Sequence, residues 1–184
     1  MPREAYVHFT REFNGDTTES LIDAVAKLSN EGVPRVVVCI ASPGGWIPKA
    51  LAVYNMLRAF PVELVTHAVG EVASAGNMPF LAGEVRYACP HASFMLHPGT
   101  LNTSDARFDG AELRLRADAL DAHDVRERLI VAERTKLSTA QVRRLVEQST
   151  TLSASEAAKA GIVSRVRQLR IPAGARVITA GRPR

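Results

Sequence analysis

Three short segments hold the residue types that nucleophilic chemistry needs. They are Ser42-Pro43-Gly44-Gly45, Ser74-Ala75-Gly76 within GEVASAGN (70–77), and Leu96-His97-Pro98. A serine hydroxyl is a weak nucleophile until a neighbouring base takes its proton, and histidine is the side chain suited to that at neutral pH. Acyl transfer also needs N–H donors aimed at the developing oxyanion. A Gly-Gly turn can present backbone N–H groups with no side chain in the way, and the N–H of Ala75, at a helix start, is a second free donor. Ser74 alone reads as an ordinary helix N-cap. Ser-Pro-Gly-Gly alone is an ordinary turn. No Gly-Lys-Ser/Thr follows it, which excludes a phosphate loop, and Val72 in place of glycine excludes the Gly-x-Ser-x-Gly elbow of the α/β-hydrolases.

The elements that must position these segments are legible. AYVHF (5–9) reads as a strand. Asp16 with Glu19 suggests a capped helix start, Leu21, Val25 and Leu28 follow helical spacing, and Gly32 supplies the stop. RVVVCIA (35–41) suits a strand buried on both faces. Pro48 and the stripe Leu51, Tyr54, Leu57 mark a second helix. VELVTHAV (62–69) is a third strand, and Ser74 opens the next helix, which Pro79 bends or shortens. Two further strands follow, 85–90 and 92–98, then a polar stretch over 99–109. A long helix spans roughly 110–134 and carries Leu113, Ala117, Leu120 and Leu129. Thr139–Glu147 is a shorter helix, Ser153 caps another over 155–160, ended by Gly161, and 162–166 is a last strand. Each chemical segment therefore follows a strand, where ligands meet parallel α/β sheets. The long helix has few neighbours left in the chain to pack on, which suggests a protruding arm or subunit contact. Residues 1–170 read as a single domain. Residues 171–184 read as a basic tail with a loose end.

With 184 residues and a net charge of +4, the chain can bury one sizeable core. No apolar run approaches the ~20 residues of a membrane span, and MPREAYVHF is too short and too charged for a signal peptide. Cys39 and Cys89 lie in strand-like segments outside any CxxC pattern. They fit buried thiols in a reducing cytoplasm, with no metal or cofactor implied. Arginines 143, 144, 165, 167, 170, 176, 182 and 184 crowd the last quarter. Aromatic residues do not interleave with them as stacking on nucleic acid requires, so a solvated face and a flexible tail are the better reading.

Taken in order, IASPGGWIPKALAVYNML, VTHAVGEVASAGNMPFLAG, RYACPHASFMLHPG and TLSASEAAKAGIVSRV resemble the ClpP serine peptidases over roughly residues 5–168. The resemblance implies a spiral α/β fold of the crotonase-like superfamily with a helical handle at about 99–134. Carried over position by position, it implies Ser74 as nucleophile, His97 as general base, and the N–H groups of Gly45 and Ala75 as the oxyanion hole. It further implies peptide-bond hydrolysis through an acyl-enzyme, and rings, typically of seven subunits stacked face to face, that enclose a chamber for unfolded polypeptides. An ATPase unfoldase partner is implied too, although a first strand at residue 5 leaves little of the N-terminal segment that helps dock it.

The chain departs from this pattern at two further places. The family's third catalytic residue, an aspartate, falls on Leu145, which can neither orient a histidine nor stabilise an imidazolium. Glu147 is the nearest carboxylate that can stand in and Ser149 the nearest hydroxyl; Glu71 and Asp105 are remoter. His97-Pro98-Gly99 replaces His-Gln-Pro, and the segment after it differs. Losing the acid of a triad can cost about 10⁴ in rate while the nucleophile and oxyanion hole survive. Two other readings follow: a ClpP-like scaffold subunit that assembles without cutting, and a crotonase-type acyl-CoA enzyme, against which Ser74 with His97 argues.

Overall fold

The computed structural model describes residues 3–101 and 107–181. Strand β1 (Ala5–Phe9) leads to α1 (Gly15–Asn30), β2 (Arg35–Ser42), α2 (Ile47–Ala59) and β3 (Glu63–Ala73). A single 3-10 turn, Ser74–Gly76, passes into α3 (Asn77–Leu81), then β4 (Val85–Ala88) and β5 (Ser93–Leu96). The rest is α4 (Gly110–Arg134), α5 (Thr139–Glu147), β6 (Thr150–Ser153), α6 (Ala154–Ala160), β7 (Arg165–Val166) and β8 (Arg176–Thr179). The strands form one sheet in the order β6-β5-β3-β2-β1-β8, with β4 joining β3 to β7. All pairings are parallel except β5 with β6.

β2 is the centre of this sheet because its run of branched residues has no polar face to show to water. Val36, Val38 and Ile40 pack into the main core with α1 and α2, while Val37 and Cys39 join Tyr6 and Val65 on the other face. β3 does two jobs in sequence. Val65–Ala68 pairs with β4, and Glu71–Ala73 pairs with β5. The register between β2 and β3 shifts between Ile40 and Ser42, so that Ile40 faces Ala68 but Ser42 faces Val72. This irregularity carries the chain from one partner to the next.

Several boundaries differ from the sequence expectation. α1 is capped by Asn14, not Asp16: Asn14 Oδ1 accepts the Thr17 N–H at 3.1 Å and Thr17 Oγ1 accepts the Asn14 N–H at 3.0 Å. Asp16 instead sits in the first turn, where its charge faces the positive end of the helix. β3 continues four residues beyond 69 because Val72 and Ala73 are buried against β5. β6 has no counterpart in that expectation, and β7 is shorter than 162–166. The segment expected to trail off as a basic tail folds back as β8 beside β1. Its burial alternates, Arg176 and Ile178 part-buried and Val177 and Thr179 exposed, as a strand covered on one face does; Arg176 pairs with Glu31, and the Gly181 N–H donates to Ser20 Oγ at 2.7 Å. Arg182 and Arg184 lie outside the described residues.

α4 is the expected long helix, 25 residues with only Glu127, Ile130 and Val131 buried. Leu113, Leu115, Val125 and Leu129 are exposed along it. Its base is fixed by Arg86, whose guanidinium donates to the carbonyls of Arg134 (2.8 Å), Gly161 (3.0 Å), Ile162 (2.8 Å) and Gly83 (3.1 Å). Among the described residues, no helix is long and apolar enough to cross a membrane.

Candidate active site

β3 delivers its last residue directly to Ser74. Ser74 has φ +54°, a conformation that a side chain with a Cβ rarely adopts, at a cost of roughly 1–3 kcal/mol that neighbouring contacts must hold in place. Asn77, almost fully buried, supplies them. Its Nδ2 donates to the Ser74 carbonyl at 2.9 Å and to the Met95 carbonyl at 2.8 Å. One side chain thus ties the end of β3 to the end of β5. The sequence reading missed Asn77; its signal was an amide just after the strand-to-helix turn, where a side chain can reach free carbonyls.

The Gly-Gly turn lies against this serine. A Cβ on Gly44 would stand 2.6 Å from Ser74 Cβ and 3.2 Å from Ser74 Oγ, so only glycine fits there. Phe13 pairs with this segment as a parallel bridge: its N–H donates to the Gly44 carbonyl at 2.7 Å, and its carbonyl accepts the Trp46 N–H at 2.8 Å. That pattern turns the N–H of Gly45 to the side away from Phe13. Gly45 has φ +136°, and a Cβ there would stand 2.4 Å from the Phe13 carbonyl oxygen. The N–H of Ala75, in the opening turn of the 3-10 helix, has no intrahelical partner.

His97 follows β5 directly. Ala73 faces Met95 across the parallel pair, so Ser74 and His97 stand at the ends of adjacent strands, which are about 4.8 Å apart. His97 Nδ1 lies 2.7 Å from the carbonyl oxygen of Pro98. A carbonyl only accepts, so Nδ1 carries the proton and the neutral ring keeps its lone pair on Nε2. Among the described residues, no hydrogen bond joins Ser74 Oγ to His97.

The structure does not bring Glu147 to His97. The Glu147 carboxylate takes the Nε–H of Arg143 at 2.6 Å, one turn back on the outer face of α5. Leu145 is half-buried on the same helix. β6 pairs antiparallel with β5, Leu96 facing Thr150, which carries Ser149 toward the position opposite His97. Ser149, at φ +47°, ends α5 with its N–H on the Val146 carbonyl at 2.9 Å. Glu71 is exposed on β3, and Asp105 lies outside the described residues. Among the described residues, no group of His, Cys, Asp and Glu side chains could hold a metal ion.

A family model described as Clp protease matches residues 1–170. The ATP-dependent Clp protease proteolytic subunit of Platanus occidentalis is 31% identical over 171 residues, covering 90% of this chain and 83% of that protein. That of Chloranthus spicatus is 30% identical with the same coverage. Among solved structures, a point mutant of ClpP1 from Listeria monocytogenes superposes with a TM-score of 0.79 at 23% identity, covering 91% of this chain and 92% of that one. This last likeness is one of fold.

Proposed function

The chain belongs to the Clp protease family, and from that premise we propose that it is a serine-type endopeptidase acting on unfolded polypeptides or peptides within an oligomeric chamber. In the first half-reaction Ser74 Oγ attacks the scissile carbonyl as its proton passes to His97 Nε2. The N–H groups of Gly45 and Ala75 hold the oxyanion. The C–N bond then breaks, and the proton on Nε2 goes to the departing amine. In the second half-reaction water attacks the Ser74 ester and gives a proton to Nε2, and Nε2 passes it to Ser74 Oγ as the acid product leaves. The observation that carries this reading is the backbone of Ser74: φ +54°, fixed by Asn77, directly beside Gly44. Exposed Leu113, Leu115, Val125 and Leu129 on α4 support a contact between copies. The unpaired thiols of Cys39 and Cys89 suit a reducing compartment such as the cytoplasm.

A second reading is a scaffold subunit that assembles without cutting. Two observations favour it: Leu145 stands where the family's aspartate is expected, and Glu147 is engaged by Arg143. One experiment separates the two. A fluorophosphonate should label Ser74 of the assembled protein, identified by peptide mass mapping, and Ser74→Ala should abolish labelling and cleavage of fluorogenic peptides. A wild-type oligomer that neither labels nor cleaves overturns the peptidase reading.

A further inference from the structure

His97 has lost the side chain that would orient it, yet its Nδ1–H is occupied. The acceptor is the carbonyl of the Pro98–Gly99 peptide, at 2.7 Å. The same peptide group donates its N–H, on Gly99, to Asp124 Oδ1 at 2.9 Å. We propose that Asp124 of α4 is the positioning residue that replaces the missing triad acid, acting on His97 through this one peptide group. The inference rests on the peptidase reading of Ser74 and His97.

The chemistry follows from amide resonance. The peptide C–N bond shares electrons between nitrogen and the carbonyl oxygen. A carboxylate accepting the N–H pushes electron density toward that oxygen, and linked hydrogen bonds strengthen one another by roughly 10–30% each. The Pro98 carbonyl therefore becomes a better acceptor for Nδ1–H. It fixes the ring with its Nε2 lone pair free and favours the imidazolium formed during attack. This support is weaker than direct contact with a carboxylate.

The local sequence is built for the arrangement. A Cβ at position 99 would stand 2.8 Å from Asp124 Oδ1 and 3.3 Å from both Ile47 Cδ1 and Leu120 Cδ2. A side chain there would push the Asp124 carboxylate off the Gly99 N–H. Gly99 belongs to the same His-Pro-Gly departure from the ClpP pattern that accompanies Leu145. One departure removes the direct acid, and the other admits a carboxylate from the opposite side. Glu127, one turn along α4, is buried beside Asp124. Its carboxyl is pushed up to about 7, by burial first and by the charge of Asp124 second. Part-protonated Glu127 repels Asp124 less than a second full charge would.

The test uses the full chain in its assembled form. Asp124→Asn keeps the volume and an acceptor for the Gly99 N–H but removes the charge, so a merely structural role would survive it. Two readouts are taken. With a fluorogenic peptide, kcat should fall about tenfold with KM within about twofold. In protein labelled with ¹⁵N-histidine, with His97 assigned through His97→Gln, the Nδ1–H proton resonance should move upfield. Asp124→Ala, which also removes the acceptor, should lower kcat further and broaden or abolish that resonance. An unchanged resonance in both variants overturns the proposal, as does an unchanged kcat in Asp124→Asn where wild type cleaves. If wild type does not cleave or label, the peptidase reading fails, and the histidine resonance alone decides whether Asp124 reaches His97.

Discussion

Asn77→Ala tests whether one buried amide holds the two halves of the site in register. Asn77 Nδ2 makes two hydrogen bonds, to the carbonyls of Ser74 and Met95. At about 0.5–1.5 kcal/mol net for each, their loss costs about 1–3 kcal/mol. The carbonyls left behind are part-buried, which raises this by up to about another 1 kcal/mol. One term opposes it. Asn77 Oδ1 is itself buried without a hydrogen-bond partner, and removing that oxygen returns about 1 kcal/mol. The sum is a destabilisation of about 2 kcal/mol, or about 4–8 °C in melting temperature for a chain of this size. The functional effect is larger in proportion. Without the tie, Ser74 can relax from φ +54°, and a displacement of about 1 Å of a reacting group costs about 10²-fold. Thermal melts followed by circular dichroism, with fluorophosphonate labelling rates well below the transition, give both numbers. The labelling rate should fall far more than the folded fraction. A variant that melts within about 1 °C of wild type and labels at the wild-type rate would refute the argument, because Ser74 would then be held by its own turn.

Two further outcomes follow from the same geometry. Gly45→Ala places a Cβ against the Phe13 carbonyl at a φ of +136°, so the turn must shift and its N–H lose aim; cleavage should fall about 10²–10³-fold, as when an oxyanion donor is removed, measured as kcat/KM on a fluorogenic peptide. Glu127 makes stability depend on pH. Its carboxyl is held at about 7 in the folded chain against an ordinary 4.5, so the folded state binds more protons between these values, and stability falls as pH rises from about 4.5 to about 7. The full loss is about 3 kcal/mol. Glu127→Gln should flatten this dependence and melt about 6–12 °C higher than wild type at pH 8, with little difference at pH 4.5.

How much of this was legible in the sequence depends on how far apart the interacting residues are. β2 and α4 could be read because a run of branched residues, or a long stretch of good helix formers unbroken by glycine or proline, is a local property. β8 could not, since Arg176-Val177-Ile178-Thr179 sits among glycines and prolines, and its strand exists only because β1 offers an open edge and Glu31 a charge. Glu147 is a different case. Arg143 and Glu147 stand four apart on a helix that local spacing already identifies, and such pairs meet on one face; that spacing was a signal, passed over in favour of the motif, that the carboxylate is engaged. The contact between Asp124 and Gly99 spans 25 residues. No periodicity reports it, and Gly99 read only as a departure from a motif.

The two halves of the site, the nucleophile with its N–H donors and the base behind it, weigh differently on different substrates, and this decides which substrates can separate the peptidase and scaffold readings. A fluorophosphonate loses a good leaving group that needs no proton, so its reaction reports chiefly the hydroxyl of Ser74 and the N–H donors around it. A peptide amine leaves only when His97 gives it a proton, and the acyl-enzyme clears only when His97 takes one from water. Peptide hydrolysis therefore weighs the support behind His97 twice. With an aspartate, that support is a charge in direct contact; with the Pro98 carbonyl it is a dipole, strengthened from behind by Asp124. A chain built this way should react with the activated label and yet turn over peptides slowly, whereas a scaffold whose site has decayed as a whole should do neither. The ratio of the two rates, rather than either one alone, measures what the presence of Leu145 in place of an acid has cost the chemistry.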